Sequence, residues 1–213
     1  MFPSSFFRVF LWPCLLACVS VACSRDDAVD SGKGIPGHPA IPVAQIALDG
    51  GGLTVRNPGN EDFAPWDGVS SIGQGATLKS GDGIVSMNFM GCVEVQLSQK
   101  SELILEGLVQ GMAGPLLVLA LKEGEVRINS SADYPIRLKM PPGEVTGIRS
   151  FFTATLRNTE DGGYSGTIKA LSPNVEVKNE FGSLMLDSWG WVKVQESGPP
   201  QLLKDLKQPH GVR

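Results

Sequence analysis

Apolar and polar residues alternate with a period of two along the middle of the chain. The clearest runs of alternating apolar positions are Val85, Met87 and Phe89, then Val93, Val95 and Leu97, then Ile136, Leu138 and Met140. Successive side chains of a β-strand point to opposite faces of a sheet, so each run predicts a strand buried on one face. Glycines and prolines, 26 and 15 in the chain, are typical of the turns between such strands. The pattern predicts an all-β domain (a sandwich, a barrel or a solenoid) without helices of ordinary length.

Residues 119–152 carry the strongest of these signals. A strand is predicted to enter an acidic turn at residues 122–125 and to continue beyond it. A second strand is predicted over residues 136–140, and residues 145–152 include Gly147, where the chain can bend. Nothing in this stretch has the composition of a reaction centre, so it predicts architecture rather than catalysis.

Three other segments carry predictions of their own. Residues 115–121 are apolar at every position, which is typical of a strand buried on both faces. Gly50, Gly51 and Gly52 predict a hairpin turn between two short strands, since no phosphate-loop lysine follows them. A turn is also predicted over residues 80–83, whose glycines can adopt positive φ.

The C-terminal part is predicted to close the domain with one strand over residues 184–194. That strand would place Trp189 and Trp191 on one face, where packing in the core is a commoner role than stacking on a sugar. Residues 202–207 are predicted to form one or two short amphipathic turns. We expect these turns to dock on their own domain, with a partner protein as the alternative.

The N-terminal residues have the features of a secretory signal peptide. Arg8 precedes an apolar run over residues 9–21, which is shorter than the roughly 20 residues of a membrane-spanning helix. The residues before Cys23 resemble a bacterial lipobox, and this resemblance implies that the Cys23 thiol carries a lipid anchor. Cys18 is the alternative, and a plain secreted chain is the third interpretation. With Ser24 rather than Asp after the cysteine, the resemblance implies attachment to the outer membrane on its periplasmic side.

These features divide the chain into four regions. The length of 213 residues allows one domain together with a linker. We expect a signal peptide over residues 1–22, a flexible tether rich in Gly and Pro over 23–42, an all-β domain over 43–196 and a C-terminal tail over 197–213.

Composition and spacing argue against most catalytic chemistry. No His lies between residues 39 and 209, so a Ser-His-Asp triad cannot form within the domain. Cys, His and carboxylates do not cluster at ligand spacing, so neither a metal site nor another cofactor is predicted. Cys92 is expected to be a buried structural thiol, and Glu123 and Glu125 are expected to be solvated charges. The net charge of −4 argues against nucleic acid and other polyanions, because phosphate binding needs clustered Lys and Arg.

The chain contains EGEV at residues 123–126, I-x-L-x-x-P at 136–141 and V-x-G-I-R-S-x-F at 145–152. These three motifs are similar to those of FecR-type periplasmic domains, known from bacterial iron-siderophore sensors. The residues that match the family motif are Gly124, Val126, Gly147, Arg149 and Phe152. The resemblance covers about residues 66–195, although Ser150 and Phe151 stand where family members commonly have Gly-Thr. It implies a twisted, β-solenoid-like or β-roll stack of short strands, with a β-sandwich as the alternative.

We therefore expect a non-catalytic, lipid-anchored periplasmic protein that binds a protein or a glycan in envelope sensing or assembly. Its expected partners are the membrane, an envelope protein, and peptidoglycan or another glycan, with exposed strand edges as binding surfaces. A structural subunit of an envelope complex is the first alternative, and a glycan-active enzyme using Glu123 or Glu125 is the second. Sigma-factor signalling is not expected, because only residues 1–7 precede the signal segment, where FecR-type sensors carry a cytoplasmic domain.

Overall fold

The computed structural model describes residues 43–70, 72–111, 114–186 and 189–205, and in these residues the all-β prediction is confirmed. The strands, in chain order, are β1 (Val43–Asp49), β2 (Leu53–Arg56), β3 (Ala64–Pro65), β4 (Thr77–Ser80), β5 (Ile84–Phe89), β6 (Val93–Leu97), β7 (Glu102–Gly111), β8 (Gly114–Ser130), β9 (Ile136–Met140), β10 (Gly143–Gly147), β11 (Phe151–Asn158), β12 (Tyr164–Ala170), β13 (Val175–Asn179), β14 (Gly182–Leu186), β15 (Gly190–Gln195) and β16 (Gln201–Asp205). This part of the chain contains no helix that could cross a membrane. The predicted signal peptide, Cys23, Cys18 and the predicted tether lie outside the described residues.

The strands form two sheets that share β8. Sheet 1 has the order β1-β5-β6-β8-β11-β12-β15-β16, and its neighbouring strands are antiparallel. Sheet 2 has the order β3-β2-β4-β7-β8-β9-β10-β13-β14. Among these described strands β8 and β9 are parallel, and the other neighbouring strands are antiparallel. Because β8 belongs to both, the result is one mixed, open sheet, compatible with both the β-solenoid-like stack and the β-sandwich.

One hydrophobic core contains buried residues from both sheets. The alternating apolar positions predicted from the sequence are all buried there: Val85, Met87, Phe89, Val93, Val95, Leu97, Ile136, Leu138 and Met140. Residues 117–121 of β8 are buried at every position, as the apolar run predicts. The sheets approach each other at Gly166 in β12, where an added Cβ would lie 3.4 Å from the Met140 Cε in β9.

β8 bends at Gly124 instead of turning there. Its pairing with β7 shifts register beside Glu102 and leaves Lys122 as the extra residue of a β-bulge. Gly124 has φ +85°, a left-handed conformation that glycine adopts without steric cost. The acidic turn predicted over residues 122–125 is therefore wrong, because a single strand of 17 residues passes from sheet 2 into sheet 1.

Glycines let two connections between the sheets pass close together. β1 pairs with β5 in sheet 1, whereas β2 pairs with β3 and β4 in sheet 2, so residues 50–52 form a crossover and the predicted hairpin is wrong. Residues 80–83 likewise join strands of different sheets, and their glycines provide room rather than positive φ. A Cβ on Gly83 would lie 2.2 Å from the Asp49 carbonyl oxygen, so only glycine fits where the two backbones meet.

The predicted closing strand over residues 184–194 is in fact two strands in different sheets. β14 pairs with β13 in sheet 2, while β15 lies between β12 and β16 in sheet 1. β16 occupies residues 201–205, so the predicted amphipathic turns are wrong, although this segment docks on its own domain as expected. Pairing with β15 gives the segment backbone hydrogen bonds between strands, whereas an isolated helix of two turns is marginal.

Candidate functional site

Three of the five motif residues determine the path of β8 and its neighbour β11. Gly124 lies against Ser101, whose Oγ would be only 2.2 Å from a Cβ added to the glycine. Val126 and Phe152 are fully buried in the hydrophobic core. Gly124 thus permits a close contact between strands, and Val126 and Phe152 anchor β8 and β11 in the core.

The other two motif residues shape the turn between β10 and β11. A Cβ on Gly147 would lie 2.1 Å from the Ser150 Oγ, so the close approach at this turn requires glycine. The left-handed residue of the turn is Arg149, with φ +45°, and its guanidinium forms an ion pair with Asp133. The hydrogen bond and the charge of Arg149 hold the pKa of Asp133 below its ordinary value. Both partners are exposed, so the pair contributes little to stability.

The outer face of sheet 1 carries a polar groove of about 590 Å³. Its lining residues come from β8, β11, β12 and β15 and are Glu125, Thr153, Thr155, Arg157, Ser165, Thr167, Lys169 and Trp191. β11 and β12 each contribute three alternate residues to the groove, because the residues between them point into the core. None of the five motif residues is among those lining residues, so the groove is a separate feature of the domain.

Strand register arranges six of these residues in two neighbouring rows. The first row is Thr153, Lys169 and Trp191, and the second row is Glu125, Thr155 and Thr167. In the first row the Lys169 Nζ lies 5.6 Å from the centroid of the Trp191 ring, which is a cation–π contact. The groove therefore combines an aromatic ring, a positive charge and a line of hydroxyl groups.

Glu125 is held in place by two hydroxyl groups. The Thr155 Oγ1 donates a hydrogen bond of 3.0 Å to one carboxylate oxygen, and the Ser98 Oγ donates one of 3.2 Å to the other. Glu123 lines a different hollow, of about 360 Å³. Glycoside hydrolysis commonly uses two carboxyl groups that face the same bond, so this geometry lends no support to hydrolysis by Glu123 and Glu125.

Trp191 lies in the groove and not in the core. Its side chain is 38% exposed, so the core-packing interpretation is wrong for this residue. Trp189 precedes β15, which begins at Gly190, so the two tryptophans do not share a strand face as predicted. Alternation along β15 already aligns Trp191 with Lys193, but the pairing of β15 with β12 is what brings Trp191 beside Lys169. Sequence reasoning misses the groove because that pairing is not local.

The polar face of sheet 1 continues from the groove toward β6. A smaller hollow of about 100 Å³ is lined by Glu94, Gln96, Arg127 and Asn129. The Arg127 guanidinium lies 4.4 Å from the centroid of the Phe151 ring. The outer face of sheet 1 thus presents polar side chains across several strands, with an aromatic ring beneath a cation at two places.

Cys92 lies outside the lining of the groove. Cys92 is a free thiol that is half-buried, not fully buried as predicted, and its Sγ lies 3.5 Å from the Tyr134 hydroxyl. Within the described ranges, no three His, Cys, Asp or Glu side chains lie close enough together to hold a metal ion.

Comparison with known proteins assigns this chain to no family. The chain matches no protein-family model and no curated protein. The FecR-type resemblance therefore stays a prediction from the three motifs.

Proposed function

We propose that this protein is a non-catalytic binding module that uses the groove on sheet 1 to hold a glycan. Sugar rings present apolar C–H faces together with hydroxyl groups, so a binding site needs an aromatic surface beside hydrogen-bonding side chains. Trp191 supplies the aromatic ring, Thr153 and Thr167 supply hydroxyls that can both donate and accept hydrogen bonds, and the Thr155 hydroxyl, which donates to Glu125, can accept one. The exposed ring of Trp191 within this polar groove is the observation that carries the proposal.

The position of the groove supports binding by a rigid surface. β11 and β12 are each paired on both sides, so sheet hydrogen bonds fix the backbone that carries the threonines before a ligand arrives. Glu125 is likewise fixed by its two hydroxyl donors. Side chains that are already ordered lose less conformational entropy on binding, which favours affinity for a flexible polymer.

The proposal includes a location for the protein in the cell envelope. Lipidation at Cys23 would anchor the chain to a membrane in the periplasm, with the outer membrane favoured, and residues 23–42 would tether the β domain to that anchor. A FecR-type domain in that position would act in envelope sensing or assembly. Peptidoglycan and other envelope glycans are the polymers within its reach.

A protein partner is the alternative, and the edge of sheet 2 favours it. β14 is paired with β13 on one side, and Met185 and Phe181 near this edge are 55% and 51% exposed. An unpaired strand edge beside exposed apolar side chains can accept a strand from another chain. A structural subunit of an envelope complex would use this surface.

Replacing Trp191 with alanine tests the glycan proposal. We expect Trp191→Ala to weaken glycan binding by about 10- to 100-fold, because it removes a stacking surface worth roughly 1.5–3 kcal/mol. Titration calorimetry with peptidoglycan fragments and envelope oligosaccharides would measure the loss. The matched control is Met185→Ala, an exposed apolar truncation on sheet 2. Full affinity in Trp191→Ala would show that the groove is not the binding site, and loss of partner binding only in Met185→Ala would favour the strand edge.

A further inference from the structure

The groove carries positive charge although the chain as a whole is acidic. The formal net charge of the chain is −4. The lining of the groove, in contrast, has two cations, Arg157 and Lys169, and one carboxylate, Glu125. Arg157 and Lys169 form no ion pair with any described residue. Both oxygens of Glu125 already accept hydrogen bonds from hydroxyl groups of this chain. Glu125 keeps its negative charge, so with two cations and one carboxylate the groove lining carries a formal charge of +1.

The two cations stand at opposite ends of the groove. Lys169 lies opposite Thr153, whereas Arg157 lies opposite Ser165, which is four residues from Lys169 along β12. At about 3.3 Å per residue, the two positions are about 13 Å apart along the strand. The row between them contains Thr155 of β11 and Thr167 of β12, with Glu125 of β8 at the end of that row. A ligand that contacts both cations must be elongated and must carry separate negative groups.

We propose that the groove binds an acidic glycan whose sugar rings carry carboxylate groups, such as an oligomer of uronic acids. The inference rests on the proposed glycan function and names the ligand class. One sugar stacks on Trp191 with its carboxylate beside Lys169, and a second carboxylate further along the polymer reaches Arg157. The threonine hydroxyls between them bind the ring hydroxyls.

Two features favour this ligand over other anions. A phosphate group gathers several donors, often backbone N–H groups, but the central strands β11 and β12 already use their backbone groups in pairing. An acidic peptide gains most of its affinity from backbone pairing at a strand edge, which the face of a sheet does not offer. Arg157 and Lys169 are single cations that lie far apart, and they match single carboxylates on separate sugar rings of one glycan.

Titration calorimetry with a uronic-acid oligomer and its carboxyl-reduced, neutral counterpart tests this inference. We expect the acidic oligomer to bind more tightly, and Lys169→Gln and Arg157→Gln to weaken its binding by about tenfold each, a larger loss than either variant causes for the neutral oligomer. Lys169→Arg should restore most of the affinity, because it restores the charge. The control is Lys178→Gln, which removes an exposed lysine from sheet 2 and should leave both affinities unchanged.

The outcomes separate the inference from the proposed function. Equal binding of both oligomers, insensitive to Lys169→Gln and Arg157→Gln, would overturn the acidic-glycan inference while leaving glycan binding intact. Absence of binding to either oligomer, together with no binding to peptidoglycan fragments, would overturn both. Binding of an acidic peptide as tightly as the acidic oligomer would overturn the assignment to a glycan.

Discussion

Replacing Gly124 with alanine should destabilise the domain more than replacing any ordinary loop glycine. The new Cβ would lie 2.2 Å from the Ser101 Oγ and 2.8 Å from the Ser101 Cα, and the second atom is backbone that cannot rotate away. The Ser101 Oγ also accepts a hydrogen bond of 2.9 Å from the Glu125 N–H. Movement of Ser101 to make room therefore breaks a contact that fixes the bend of β8.

Three contributions set the magnitude. Holding alanine at φ +85° costs roughly 1–2 kcal/mol. Loss of the hydrogen bond to Ser101 costs about 1 kcal/mol. Displacing the serine from its preferred rotamer costs about another 1 kcal/mol. The free energy of unfolding of Gly124→Ala should thus fall by about 3–4 kcal/mol.

Gly162→Ala provides a matched control, because Gly162 has φ +84° and nothing within 4 Å of an added Cβ. Urea unfolding followed by tryptophan fluorescence should show a loss of only about 1–2 kcal/mol for this variant, from the backbone conformation alone. The excess loss in Gly124→Ala measures the close approach to Ser101. If both variants lose the same free energy, the claim that Gly124 is required for close packing is refuted.

Two further predictions concern a buried hydroxyl and an acidic turn. The Ser150 Oγ is buried without a hydrogen-bond partner among the described residues, so Ser150→Ala should raise the free energy of unfolding by about 1 kcal/mol. Ser172→Ala should lower the free energy of unfolding, because the Ser172 Oγ accepts a hydrogen bond from the Phe151 N–H. Urea unfolding measures both changes, and a loss of stability in Ser150→Ala would contradict the reasoning. Hydrogen bonds from the Ser70 hydroxyl and from the Ser70 and Val69 amides lower the pKa of Asp67 from 3.8 to about 2. Its stabilising contribution is present above pH 3.8 and disappears as the pH falls through about 2, so Asp67→Asn should flatten the pH dependence of unfolding in that window; an unchanged curve would disprove this.

The sequence singles out Gly124 and Gly147 as motif positions, but it does not give the geometry around them. Gly124 and Gly147 were identified from the motif, and the structure places both where a Cβ would collide with a serine. The collision partners, Ser101 and Ser150, could not be identified as such, because closeness between backbones leaves no trace in a single sequence. For the same reason, the sequence predicts a hairpin at residues 50–52, where the structure has a crossover between the two sheets.

Which side chains are buried is what the sequence by itself determined. Alternation with period two follows from the geometry of one strand, so residues such as Val95 and Leu138 could be assigned to the core without knowing their neighbours. Only the tertiary structure decided which strands lie side by side. The groove exists because β15 pairs with β12 and β12 pairs with β11, which brings Trp191, Lys169 and Thr153 into one row. Pairing between distant strands depends on the packing of the whole core and on strand register, and no local pattern along the chain encodes it.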